Sequence, residues 1–302
     1  HEITDYLQSG DVLVINDSRV MPARLVGRKE SGGAVELLLL ARIPSGEGEE
    51  VWEAMLKPAK RVRKGTTIYL PGDVRGLVGE RVAEKKWRLS FTGPEPFAAF
   101  LRRHGRAPLP PYIRRDREGE DAADDLERYQ TVYARVPGSV AAPTAGFHFS
   151  PEVLEAIRRK GVHIAAVTLH VGYGTFMPIT TMNVEEHRME AEYFEIGAET
   201  AAAVNRARRV IAVGTTATRV LETCANEDGE VQAASGWTSL YIYPGYRFRR
   251  VQALLTNFHL PQSSLYLLAC AFGGREEIAG AYRQAVAMGY RFYSYGDCML
   301  IL

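Results

Sequence analysis

The run VHIAAVTLHV at 162–171 limits the folds open to this chain more than any other stretch. It is apolar at nearly every position rather than at alternate ones. That is the pattern of a strand covered on both faces, as in a parallel sheet flanked by helices. The residues ahead of it read as a helix leading into that strand. Ser150 is placed as an N-cap and Pro151 as the first helical residue; Val153, Leu154 and Ile157 give an apolar face, and Gly161 is the stop. Just upstream, AAPTAGFHFS (141–150) puts Pro143, Gly146 and His148 in a loop at the helix start. Unpaired N–H groups there favour an anionic group, and catalytic side chains are frequent in such loops.

The alternation continues from Tyr129 to the end. Residues 199–209 favour a helix, VIAVG (210–214) a strand, and GTTATRVLETCA (214–225) a helix with Ala217, Val220, Leu221 and Cys224 on one face. The first of these helices meets the strand with no linker, shorter than the ~2–6 residues such joints take. SLYIYPG (239–245) and RVQALLTNF (250–258) read as two more strands. HLPQSSLYLLACAFGG (259–274) breaks at Pro261 and restarts with Ser263 as cap; a helix over 275–288 ends at Gly289, and 291–302 reads as strand, turn, strand.

Between about 19 and 92 the pattern is different. Short β-like runs at 34–40, 51–56, 67–70 and 87–91 are separated by Gly, Pro and charge, as in a small barrel or sandwich. Pro108, Pro110 and Pro111 mark the exit from this all-β unit, and seven acids in 116–127 read as an exposed, mobile link.

The net charge of +1 does not announce a nucleic-acid binder, but local charge says more. KPAKRVRK (57–64) is basic at Lys57, Lys60, Arg61, Arg63 and Lys64, and 101–117 carries Arg102, Arg103, Arg106, Arg114, Arg115 and Arg117. Such clusters neutralise phosphates, although a solvated face gives the same pattern. No apolar run approaches the ~20 residues of a membrane span. Three widely spaced cysteines (Cys224, Cys270, Cys298) fit buried thiols in a reducing compartment, so the expectation is cytoplasmic, without disulfides or a metal site.

Five loops that follow apolar runs carry side chains suited to chemistry: NDSR (16–19), HVGYGT (170–175), GTTATR (214–219), TNFHLP (256–261) and SYGD (294–297). In open α/β sheets ligands bind beyond the carboxyl ends of strands, so these loops are expected to line one cleft. His148, His170 and His259 are the proton-transfer candidates, because imidazole titrates near neutrality. Gly214, Thr215 and Thr216 at a helix start would hold a phosphate or carboxylate, without being a Walker loop. Asp297 would pair with a hydroxyl or amine, or simply stabilise its turn. Tyr241, Tyr243, Tyr246 and the group Tyr290, Phe292, Tyr293, Tyr295 would stack nucleobases or belong to the core.

The motifs GDVLVINDSRVMPARLVGRK (10–29), LPPYIRR (109–115), YQTVYARVPGSVAAPTAGFHF (129–149), VTLHVGYGTFMPI (167–179), VIAVGTTATRVLE (210–222), LLTNFHLPQSSL (254–265) and YRFYSYGDCML (290–300) occur in this order along nearly the whole chain. In them the chain resembles the S-adenosylmethionine:tRNA ribosyltransferase-isomerases of queuosine biosynthesis. The resemblance implies an α/β fold, a large domain with a mixed sheet (1–18 and 109–302), carrying a small inserted β-barrel (19–108). It implies further residues ahead of His1. It also implies transfer of the ribosyl group of S-adenosylmethionine to 7-aminomethyl-7-deazaguanine at the tRNA wobble position, giving epoxyqueuosine-tRNA, adenine and methionine. S-adenosylmethionine is then a substrate and no cofactor is needed. The partners would be tRNAs with G at the first anticodon position (Asp, Asn, His and Tyr tRNAs), and the protein would act as a monomer.

On that reading His148, His170 and His259 serve acid–base steps with Asp297 orienting. Thr144, Gly146, Gly172, Gly174, Thr175, Gly214, Thr215, Thr216 and Asn257 hold S-adenosylmethionine. Arg19, Arg24, Lys57, Lys60, Arg61, Arg63, Lys64, Arg114 and Arg115 meet the tRNA backbone. After His187 the family often has a second histidine where this chain has Glu190, so that role does not carry over. The competing readings are an S-adenosylmethionine-dependent tRNA methyltransferase and a non-catalytic RNA-binding module.

Overall fold

The computed structural model describes residues 2–46, 49–59, 62–110, 112–113, 122–176 and 178–302. The chain forms two compact units, His1–Arg19 with Gln130–Leu302, and Val20–Tyr129. In the first, helix α1 (Ile3–Tyr6) leads to strand β1 (Asp11–Asn16), buried along its whole length, and then to the short β2 (Ser18–Val20).

The second unit is a closed barrel. Strands β3 (Arg24–Lys29), β4 (Ala34–Ile43), β5 (Glu50–Lys57), β6 (Thr67–Tyr69), β7 (Arg75–Arg81) and β8 (Lys86–Thr92) close in the order β3-β4-β5-β8-β7-β6. Every neighbouring pair is antiparallel. The period-2 pattern puts Val35, Leu37 and Leu39, then Trp52, Ala54 and Leu56, into the barrel interior. Helix α2 (Phe97–His104) adds Phe97, Phe100 and Leu101 to that core, with Phe97 stacked on Phe91 at 4.3 Å. Gly27 is required where β3 passes β6, since a Cβ there would sit 2.8 Å from the Tyr69 carbonyl oxygen. The acidic link is corrected in part. Residues 114–121 lie outside the described residues, but Ala122–Arg128 is helix α3 and Asp125 is buried. The return to the first unit comes at Gln130 rather than 109.

The first unit resumes with β9 (Val136–Ser139), a 3-10 turn (Thr144–His148), α4 (Pro151–Arg159) and β10 (His163–Leu169). It continues through β11 (Glu192–Ile196), α5 (Ala198–Arg206), β12 (Arg209–Val213), α6 (Gly214–Cys224) and β13 (Ala234–Thr238). It ends with β14 (Ala253–Asn257), α7 (Ser264–Gly273), α8 (Arg275–Ala287) and β15 (Cys298–Ile301). The sheet order is β13-β11-β10-β1-β12-β14-β15. The four central strands are parallel and β11, β13 and β15 antiparallel, so the sheet is mixed. Val14 on β1 stands opposite Ala165 on one side and Ala212 on the other.

Both faces of β1 are covered, as the unbroken apolar runs require. Val12 and Val14 join a core with Val220 and Leu221 of α6, whereas Leu13 and Ile15 join one with Leu154 and Ile157 of α4. The Ser150 hydroxyl accepts the Val153 N–H at 3.3 Å, with Pro151 in the first turn, as the cap signals predict. The chain crosses from β10 to β12 over β1, so the order reverses at β1, the arrangement in which ligands bind beyond the carboxyl ends of the strands.

Three predicted elements differ. The helix over 199–209 stops at Arg206, and Ala207-Arg208 make the joint, with the Arg208 N–H donating to the Gly10 carbonyl at 3.0 Å. Residues 239–252 form no strand despite their alternating pattern. The buried Glu222 carboxylate accepts the N–H groups of Arg249, Arg250 and Val251 at 2.8, 3.0 and 2.9 Å, taking donors a strand would give its neighbour. Residues 291–297 are a tight loop rather than a strand, and a Cβ at Gly296 would lie 2.4 Å from the Arg291 carbonyl oxygen.

Candidate active site

The carboxyl ends of β10, β1, β12 and β14 carry a continuous set of buried polar groups. At the end of β1 the Asn16 side chain binds the backbone of Leu169 in both directions, donating to its carbonyl at 3.1 Å and accepting its N–H at 3.0 Å. Asp17 is buried; it accepts Arg135 Nη2 at 2.8 Å and Nε at 3.1 Å on one oxygen and the Thr168 hydroxyl at 2.7 Å on the other. These bonds lock the ends of β1 and β10 together, and His170 follows directly.

The His170 ring stacks on Tyr193 at 5.6 Å and packs against Gly138, where a Cβ would clash with it at 2.4 Å. Its Nδ1 is buried with no hydrogen-bond partner. Burial lowers its pKa, opposed by the charges of Asp17 and Glu195. The same Asp17 charge acts on Tyr133, whose phenol burial raises far above its ordinary value. Tyr133 in turn lies over Gly146, where a Cβ would meet its hydroxyl at 2.1 Å. Asp17 and Tyr133 therefore connect the His170 region to the loop that carries Thr144, Gly146 and His148.

His148 Nε2 lies 3.1 Å from the Asn257 amide nitrogen at the end of β14. That nitrogen also donates to the Tyr293 carbonyl at 3.1 Å, which fixes the amide, while the Asn257 Oδ1 is buried without a partner. With the amide donating, Nε2 is an acceptor and the imidazole is neutral. Its pKa is lowered by burial and partly restored by the Asp297 charge. Asp297 itself accepts the Arg291 N–H at 2.7 Å, so it closes its own loop and reaches His148 only through its field. Beside His148, Phe147 stacks on Tyr295 at 5.3 Å with the planes 15° apart.

Gly214 has φ +86°, a conformation that favours glycine, and a Cβ there would meet Ala145 at 3.2 Å. The β12 end is thus packed against the 144–148 turn. Thr215 and Thr216 are buried in the first turn of α6, and the Thr216 hydroxyl has no partner. The His259 ring pairs through Nε2 with the Thr256 hydroxyl at 2.7 Å, its backbone N–H donates to the Tyr282 hydroxyl at 2.8 Å, and burial pushes its pKa down to about 4.

The Gly172–Thr175 loop is held by residues that the sequence reading missed. Glu192 Oε1 accepts the Gly172 N–H at 2.7 Å and the Thr175 hydroxyl at 3.1 Å, and its other oxygen pairs with buried Arg219. Their positions, on β11 and α6, give no local signal. Glu190 packs its carboxyl group against Gly174, 3.0 Å from where a Cβ would lie. Of the aromatic residues singled out, Tyr241 and Tyr243 form a pair at 5.0 Å with His187 edge-on, while Tyr290 and Phe292 pack around Phe258.

Arg19 is exposed on β2, and Lys57 and Arg63 are exposed in the barrel unit. Lys64 lies 3.6 Å from Glu80, and Arg24 is half-buried against Glu36 at 2.9 Å. Lys60, Arg61, Arg114 and Arg115 lie outside the described residues. The three cysteines are free, and burial lifts the Cys224 and Cys298 thiols to about 11. Among the described residues no three His, Cys, Asp or Glu side chains gather as metal ligands, and no helix is long and apolar enough to cross a membrane.

A mixed α/β sheet with its polar groups gathered at a topological switch point, carrying an inserted six-stranded barrel, defines the class of protein. Comparison with known proteins makes it particular. Residues 1–301 match the family model described as queuosine biosynthesis protein, and the chain belongs to that family. It is 56% identical to the S-adenosylmethionine:tRNA ribosyltransferase-isomerase of Syntrophus aciditrophicus, over 100% of this chain and 88% of that one. The enzyme of the same name from Geobacter sulfurreducens is 51% identical over 99% of this chain and 87% of its own. A crystal structure of S-adenosylmethionine tRNA ribosyltransferase from Thermotoga maritima is 34% identical, with TM-score 0.50, over 100% of this chain and 86% of that one.

Proposed function

We propose that this chain transfers and isomerises the ribosyl group of S-adenosylmethionine onto 7-aminomethyl-7-deazaguanine in tRNA, releasing adenine and methionine. The observation that carries the reading is the match to the family across the whole chain, with His148 held neutral at the strand-end crevice. S-adenosylmethionine is a substrate and no separate cofactor takes part. The acceptors are tRNAs with G at the first anticodon position (Asp, Asn, His and Tyr tRNAs), and the protein works as a cytoplasmic monomer.

The chemistry asks for proton transfers near neutral pH and for fixed donors. The sulfonium acidifies the neighbouring 5′ C–H, which a neutral imidazole removes. Adenine then leaves as its ring is protonated, the unprotonated amine attacks the sugar, and epoxide closure expels methionine. A base that is neutral at working pH suits the first step, and burial supports that state for His148. His170 is the second proton carrier, its buried Nδ1 without a partner in the protein. His259 and Asp297 position loops rather than exchange protons, since the Thr256 hydroxyl holds the His259 ring and the Arg291 N–H holds the Asp297 carboxylate. Thr144, Gly146, Gly172, Gly174, Thr175, Gly214, Thr215, Thr216 and Asn257 surround the S-adenosylmethionine, with the α6 start and its unpartnered Thr216 hydroxyl facing the methionine carboxylate. Arg19, Lys57, Arg63 and Lys64, with Lys60, Arg61, Arg114 and Arg115, meet phosphates, and Arg24 contributes less because Glu36 already holds it.

Incubation with S-adenosylmethionine and tRNA bearing 7-aminomethyl-7-deazaguanine, followed by chromatography of the small molecules, tests the reading. Adenine and methionine in equal amounts, with the added mass on the tRNA, are expected. S-adenosylhomocysteine would establish methyl transfer instead, and tRNA binding without turnover would leave an RNA-binding module.

A further inference from the structure

We infer that the buried pair Glu192–Arg219 is a positioning device that sets the S-adenosylmethionine site by holding the Gly172–Thr175 loop against α6. The inference rests on the proposed use of S-adenosylmethionine. Both side chains are almost fully buried, 4% and 5% exposed. One carboxylate oxygen of Glu192 accepts the Gly172 N–H and the Thr175 hydroxyl, and the other accepts an Arg219 Nη1–H. Arg219 also donates its Nε–H to the Leu240 carbonyl at 3.0 Å and an Nη2–H to the Thr238 carbonyl at 3.3 Å. The pair therefore ties together β11, the loop after β10, the chain leaving β13 and α6.

The sheet order gives this its meaning. Glu192 stands on β11, whereas α6 starts from β12, with β10 and β1 between them. The two glycine-containing loops assigned to S-adenosylmethionine thus lie on opposite sides of β1. Arg219 follows one loop along α6, and Glu192 grips the other. Burying two charges costs desolvation that their attraction barely repays, and well-packed apolar residues in their place often leave stability unchanged. A pair of this kind earns its place through the geometry it fixes.

The test compares two double variants by thermal melting and by calorimetric titration with S-adenosylmethionine. Glu192→Met/Arg219→Met removes both charges and leaves the loop without an acceptor. Glu192→Gln/Arg219→Met also removes both charges but keeps an amide oxygen for Gly172 and Thr175. Both should melt near the parent. The Met/Met variant should bind S-adenosylmethionine about tenfold more weakly, one hydrogen-bonded contact's worth, while the Gln/Met variant recovers most of the affinity. In turnover the KM for S-adenosylmethionine should rise and the KM for tRNA stay within about twofold. Equal affinity in the two doubles, whether strong or weak, overturns the inference. If the Met/Met chain fails to fold, Glu192→Asp draws the carboxylate back from Gly172 with the charge kept; unchanged affinity there overturns the inference too. A parent chain that binds no S-adenosylmethionine defeats the functional reading itself, whereas a binding parent with unaffected variants defeats only the pair's role.

Discussion

The two ends of the central strands are built from the same alternation but finished differently. At their start, Asp11 is buried, its Oδ2 accepting Arg209 Nη2 at 2.6 Å and the Gln8 N–H at 2.9 Å. Arg209 donates again to the Tyr6 carbonyl at 2.7 Å, and the Gly10 N–H and carbonyl are paired with Gly161 and Arg208. At their other end, His170 Nδ1, Thr216 Oγ1, Tyr133 Oη and Asn257 Oδ1 are buried without partners. Buried polar atoms are nearly always satisfied, and each exception asks for a reason. The entry end leaves Arg250 Nε in the same state, whereas four such atoms gather at the exit end, where the proposed function gives them a substrate to meet. On that reading stability and function separate along one sheet.

Substitutions at the two ends should therefore fail in different assays. The largest effect expected is that of His148→Ala, with turnover lowered about 10²–10⁴-fold and the melting curve nearly unchanged, measured as adenine release. A loss under about threefold would break the contrast. Next comes Asp11→Ala at the entry end, which strands the Arg209 guanidinium and should cost roughly 2 kcal/mol in chemical denaturation while leaving kcat intact.

Acid should separate two histidines of the exit end. His259 has a folded pKa of about 4, below its unfolded value. The unfolded chain therefore binds more protons between these values, so this group's stabilisation is complete above pH ~6.5 and lost as pH falls toward 4. The wild-type chain should lose on the order of 2 kcal/mol across that window, and His259→Gln should remove that part of the slope. Identical pH–stability curves for the two proteins would contradict the burial of a neutral imidazole. For His148 the lowered pKa predicts that the acid limb of kcat/KM lies below pH ~6.5.

Much of this arrangement was legible in the residues because local chemistry dictates it. Ser150, Pro151 and Gly161 announce α4, and the apolar runs of β1, β10 and β12 announce strands covered on both faces. The runs at 34–40, 51–56 and 87–91 similarly announce barrel strands. The barrel strands β3 and β7 were harder to see, because Gly27 and Gly76 take inward positions while apolar Val26 and Leu77 face outward, which blurs the alternation. The hydrogen bonds of residues 249–251 are set by Glu222, a residue far away in sequence, so local alternation misread their neighbourhood as strand. Three histidines were picked out by type and context. Type alone does not show that the His259 ring pairs with the Thr256 hydroxyl while the His148 ring accepts from the Asn257 amide. Glu192 and Arg219 were invisible for the same reason, since an acid on a strand and a base on a helix become a pair only in the fold.

Thr216→Val tests the contrast most directly, because it deletes one unpartnered hydroxyl at the exit end with little change in shape. Melting the wild type and the variant with and without S-adenosylmethionine gives stability and affinity in one experiment. The account predicts that the ligand-free variant is as stable as the wild type or more stable by about 0.5–1 kcal/mol, while its gain on adding S-adenosylmethionine shrinks as affinity falls about fivefold. A variant that is destabilised without ligand yet gains as much as the wild type on binding would mean that the hydroxyl serves the fold, and the separation of the two ends would not hold.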